Sequence, residues 1–173
     1  MSVAAVQRSY HYSFASGVMM PAKICVFLTG LVYLVFGICG FFPSLVYLPP
    51  PRLRYYDMAI IGHWGFLFTW LPVNPVHNIL YVIIGGTAIF AAALRSTAIW
   101  YARGMFFVMF LLTVTGLLPF GIAQLWGLIP LFAWNIMLHT VTAVLLYYYG
   151  FIYPLDLGGK EPISQTQTLQ VRP

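Results

Sequence analysis

The sequence predicts an all-α polytopic membrane protein of four transmembrane helices, arranged as two repeats of helix, interfacial segment and helix. Hydrophobic residues make up 61% of the chain and charged ones 6%, against about 25% charged in an average soluble domain. The eight Lys and Arg and the three Asp and Glu are confined to a few places, leaving long uncharged runs between them. Short motifs near the ends of these runs recur in the two halves of the chain.

Residues 1–23 read as a cytoplasmic amino-terminal segment, mixed and polar, with Arg8, Ser9, His11, Ser13 and Ser16 ahead of Pro21 and Lys23. They lack the compact pattern of a cleavable signal peptide, so the first apolar helix is expected to serve as an uncleaved insertion signal. That helix is expected over 24–46, an uncharged run long enough for a ~30 Å hydrocarbon layer. Gly30, Gly37 and Gly40 give it a small-residue strip that another helix could approach closely. Pro49, Pro50, Pro51, Arg52 and Arg54 then require a loop outside the membrane. The stretch 58–71 is apolar but short for a span and rich in Trp and Phe, so it reads as re-entrant or interfacial.

The second helix is expected over 76–94, with Asn74 as its N-cap and Pro75 at its first position. The third runs from about Thr97 to Leu118, with Arg103 within snorkelling reach of the interface. A second short apolar stretch, 121–131, repeats the behaviour of 58–71. The fourth helix is expected over 134–153. Residues 154–173 are polar and aperiodic and read as a flexible cytoplasmic tail; the four-helix domain is thus 24–153.

Charge sets the orientation. Arg8, Lys23, Arg95, Arg103, Lys160 and Arg172 share one side and Arg52 and Arg54 the other, so the positive-inside rule puts both termini in the cytoplasm. The +5 formal charge does not indicate nucleic acid, because the basic residues form no dense run. Cys25 and Cys39 lie too far apart along one helix to bond and have no metal-type spacing.

Gly40-Phe41-Phe42-Pro43 matches Gly116-Leu117-Leu118-Pro119, Trp64-Gly65 matches Trp126-Gly127, and Asn78-Ile79-Leu80-Tyr81 matches Asn135-Ile136-Met137-Leu138. The matches suggest a parallel internal repeat. With these residues in view, the chain resembles the small bacterial integral-membrane family known as domain of unknown function 4383. That family's pattern places an Asn and a His close together at the start of the second and fourth helices, with a Gly a turn later. Here Tyr81 stands where the first His is expected, His139 follows Asn135 by four residues rather than three, and Ala143 takes the Gly position. The resemblance spans about 24–153. It implies a bacterial membrane and a four-helix fold, but no reaction.

No carboxylate falls within a predicted helix, so neither a paired-carboxylate acid-base site nor a carboxylate proton relay can be assembled. The expectation is therefore a protein that is not an enzyme. His63, His77 and His139 are the candidate functional side chains near the membrane, all toward the outer face. Their imidazoles could ligate the metal of a haem or chlorophyll, or they could bond to Asn or backbone groups and hold the bundle together. Asn74, Asn78 and Asn135 are candidates for interhelical hydrogen bonds or for contacts to a polar substrate. The expected partners are the lipid bilayer and other membrane subunits or a second copy. In that reading the chain is an accessory subunit of a larger complex, respiratory or photosynthetic, in a bacterial inner or internal photosynthetic membrane. The alternative is a small transporter or channel with the Asn residues at the repeat interface.

Overall fold

A computed structural model describes residues 3–50, 64–94, 97–119, 125 and 127–154. Four helices carry the chain: α1 (Val3–Cys39), α2 (Pro75–Ala93), α3 (Thr97–Leu117) and α4 (Trp134–Tyr147), the last continued by a π-helical turn, Tyr148–Ile152. Each contributes a stretch long and apolar enough to cross a membrane: Met20–Cys39, Pro75–Ala93, Thr97–Leu117 and Trp134–Ile152.

Helix α1 departs from its expected bounds of 24–46. It begins at Val3, runs through Pro21 and stops at Cys39. Proline removes one ladder hydrogen bond but its φ is helical, so a long helix that has already begun can pass through it. The early stop has a local cause. Phe42 precedes Pro43, which disfavours helical backbone at that residue, and Phe42 sits at φ −90°, ψ 109°. A 3-10 turn at Pro43–Leu45 then leads into a strand.

The short apolar segment expected over 58–71 lies between α1 and α2. From Gly65 on, it is a β-hairpin, with β2 (Gly65–Leu67) and β3 (Leu71–Val73) antiparallel, and β1 (Val46–Tyr47) completing a three-stranded sheet in the order β1-β2-β3. The register pairs Val46 with Leu67 and Phe66 with Pro72. Phe68 and Thr69 take φ of 51° and 74° to turn the hairpin. Pro72 is tolerated because β3 is an edge strand and no ladder bond needs its missing N–H. Residues 51–63, 120–124 and 126 lie outside the described residues, so His63, Trp126 and part of the expected 121–131 segment do too.

Helix α2 matches its expected start. Asn74 is the N-cap, its Oδ1 accepting from the His77 backbone N–H at 2.8 Å, with Pro75 at the first helical position. Helix α1 packs along α2, and α3 along α4. The α1/α2 contact is close because glycine allows it. A Cβ at Gly85 would meet the Leu34 backbone nitrogen and the Gly30 carbonyl, and one at Gly37 would meet the backbone of Val82 and Asn78. The buried core joins residues of all four helices to Leu67, Leu71 and Val73 of the sheet.

A candidate functional site in the polar interior

Buried polar side chains gather where the four helices meet under the sheet. On α2, His77, Asn78 and Tyr81 fall within about one turn; on α4, Asn135, His139 and Thr142 occupy positions i, i+4 and i+7 of one face. All six are buried, as is Tyr33, which reaches the cluster from α1. Polar groups removed from water need partners, and most of these partners come from another element.

Asn135 is the densest node. Its Nδ2 donates to the Pro72 carbonyl at 2.7 Å and the Pro130 carbonyl at 2.5 Å, and its Oδ1 accepts from the Tyr81 hydroxyl at 2.9 Å. One side chain thus joins α2, α4, the loop before α4 and the free edge of the hairpin. The Pro72 carbonyl, on edge strand β3, finds in Asn135 the donor that a fourth strand would have supplied. Asn74 adds a second tie, donating from Nδ2 to the Leu128 carbonyl at 2.8 Å while it caps α2. Asn78 turns the other way, toward α1, and donates to the Gly40 carbonyl at 2.6 Å. Gly40 makes room for this contact, since a Cβ there would fall on the Asn78 side chain.

The Tyr33 hydroxyl lies 3.1 Å from His139 Nδ1, 3.2 Å from Thr142 Oγ1 and 3.2 Å from Met109 Sδ, bridging α1, α3 and α4. Its ring stacks on His139 and meets Tyr81 edge-on at 5.0 Å. The His77 and His139 rings are 6.0 Å apart between centroids. His139 Nε2, both ring nitrogens of His77 and Asn78 Oδ1 are buried without a hydrogen bond of normal geometry, the His77 ring lying against the Pro72 backbone.

Of the candidates read from the sequence, the structure brings His77, His139, Asn78 and Asn135 into one cluster. Asn74 sits at its margin and His63 lies outside the described residues. Tyr33, Tyr81, Met109 and Thr142 belong to the cluster and were not among them. Tyr81 could have been found from its place one turn after Asn78 on the same face; Tyr33 stands alone in an apolar run and carries no such signal. Among the described residues, no group of three His, Cys, Asp or Glu side chains could hold a metal ion. Two grooves open on the bundle surface, about 500 Å³ between α1 and α4 and about 340 Å³ between α3 and α4, and neither is lined by His77 or His139.

No curated protein and no solved structure matches the chain. A family model does match, over residues 23–152, three-quarters of the chain and all four apolar stretches but for the first residues of one. The chain belongs to the family described as Domain of unknown function (DUF4383).

Proposed function

We propose that this protein is a non-enzymatic integral membrane subunit that packs against other membrane proteins or a second copy of itself. The observation that carries the reading is a contrast between its glycines. Gly30, Gly37 and Gly85 are used up in the α1/α2 contact, whereas a Cβ at Gly104 would meet nothing within 4 Å. Gly104 shares an outward stripe of α3 with Trp100, Phe107 and Leu111, of which Trp100 is 69% and Leu111 63% exposed. A small residue among large apolar ones on a membrane helix favours close approach by another helix. The Asn side chains, by contrast, are bonded in the interior to backbone carbonyls and to the Tyr81 hydroxyl.

In this reading both termini are cytoplasmic, by the positive-inside rule, and the membrane is a bacterial inner or internal photosynthetic one. The test is extraction of the tagged protein from its native membrane in mild detergent, with identification of stoichiometric companions. Gly104→Leu changes only the outward stripe. It should abolish co-purification while the isolated protein stays monodisperse; a solitary wild-type protein would refute the reading.

The transport alternative is supported only by the amides of Asn74, Asn78 and Asn135, each of which already bonds to protein. Liposome flux lost in Asn135→Leu but retained in other variants of equal stability would favour it. The pigment version rests on the two ring nitrogens of His77 and on Nε2 of His139, buried without a hydrogen bond of normal geometry. A visible absorption band of the purified protein, lost in His139→Ala, would support that version.

A further inference from the structure

We infer that the seam between α3 and α4 holds one anionic phospholipid, its phosphate on Arg103 and an acyl chain in the groove beneath. The inference rests on the membrane reading but not on the existence of partner subunits.

Pro154 follows the end of α4. In a regular helix the Gly150 carbonyl would accept from the backbone nitrogen of residue 154, which is Pro154 and has no N–H. The chain runs through a π-helical turn here, Tyr148–Ile152, and the Gly150 carbonyl accepts instead from Arg103 Nε at 2.7 Å. Gly150 also gives the arginine room, because a Cβ there would press on Arg103 Cγ at 3.3 Å. The guanidinium lies over the Trp100 ring at 5.1 Å and the Phe151 ring at 5.4 Å. Its plane is therefore fixed by one hydrogen bond and two aromatic faces. Among the described residues no further hydrogen bond engages its Nη groups, and the chain's three carboxylates, Asp57, Asp156 and Glu161, all lie outside those residues.

Such a fork, with its Nη edge unspent, matches the oxygens of a phosphate. Arg103 is six residues into α3, about 9 Å along its axis, at the end of the bundle that the basic residues assign to the cytoplasm, where anionic lipids concentrate. The apolar half of the site follows directly. Phe106, Phe110 and Thr113 continue the Arg103 stripe at i+3, i+7 and i+10, and with Thr140, Val144 and Tyr147 of α4 they line the groove of about 340 Å³. Phe106 packs on Phe151 at 5.7 Å, so groove and guanidinium share a wall. Ten residues from Arg103 to Thr113 span about 15 Å, the depth of one leaflet of a ~30 Å hydrocarbon layer. Charge and apolar length thus fit the two ends of one molecule.

The test is native mass spectrometry of the isolated, detergent-solubilised full chain, titrated with phosphatidylglycerol or with phosphatidylcholine of the same acyl chains. Wild type should retain one phosphatidylglycerol in preference to phosphatidylcholine. Arg103→Gln should lower phosphatidylglycerol binding roughly fivefold, the contribution of one basic side chain at an anionic surface, and abolish the preference. Val144→Trp, at a position 62% exposed, should fill the groove and reduce binding of both lipids, which keeps the question open to test if Arg103→Gln misfolds. No preference in wild type would overturn the proposal, and is the result expected if Asp156, outside the described residues, already neutralises the guanidinium. Unaltered binding by a folded Arg103→Gln or Val144→Trp would overturn it equally.

Discussion

Replacing Asn135 with Leu removes the side chain on which the interior depends most. Leucine keeps the approximate volume but makes none of the three hydrogen bonds, to Pro72, Pro130 and Tyr81. Interhelical hydrogen bonds in membrane bundles are worth about 0.6 kcal/mol on average, so three amount to about 2 kcal/mol. Stranding two carbonyls and a hydroxyl in a buried site adds to the loss. Tyr81→Phe removes only one of the bonds and should cost about 0.6 kcal/mol. The assay is reversible unfolding in mixed micelles, with Asn135→Leu, Tyr81→Phe and the double variant forming a cycle. Because the Tyr81 bond is already absent in Asn135→Leu, adding Tyr81→Phe should cost little more, leaving a coupling of about 0.6 kcal/mol. Strict additivity, or an Asn135→Leu protein no less stable than Tyr81→Phe, would refute the reasoning.

Two adjacent glycines should respond in opposite ways. Gly85→Leu drives a side chain into the α1 backbone at Leu34 and Gly30 and should destabilise by at least the ~1–3 kcal/mol typical of overpacking. Gly86→Leu meets nothing within 4 Å and should leave the unfolding midpoint within error of wild type. Asn74→Ala should cost about 1 kcal/mol through loss of the α2 cap. Asn74→Asp keeps the acceptor for the His77 N–H but not the donor to Leu128, so its denaturant midpoint should fall between the two. Gly40→Ala pushes Asn78 off the Gly40 carbonyl; combined with Asn78→Ala it should destabilise less than the sum of the single changes, which the same unfolding assay reads.

The helices were legible because crossing a bilayer imposes length and apolarity that few other structures need. The start of α2 was legible because Asn74 and Pro75 are chemically specific to a helix start. The hairpin at Gly65–Val73 was not, since its strands are too short and too uniformly apolar for a period of two to show. The extension of α1 was obscured by Pro21 and Lys23, which mark a boundary in sequence yet are compatible with a helix already under way. In the interior, the Asn residues stood out as polar groups in apolar runs. Tyr33 did not, because tyrosine is common at membrane interfaces and its partner His139 is 106 positions away. The role of Arg103 was half legible: its nearness to the interface followed from position alone, but its bond to Gly150 needed the folded seam.

Contact between the outward stripe of α3 and another protein can be read in the membrane itself. It is tested most directly by placing a photoreactive amino acid at Leu111 and irradiating intact native membranes. A protein adduct of one defined mass is expected, absent when Gly104→Leu is combined with the probe. Adducts to lipid alone would contradict it.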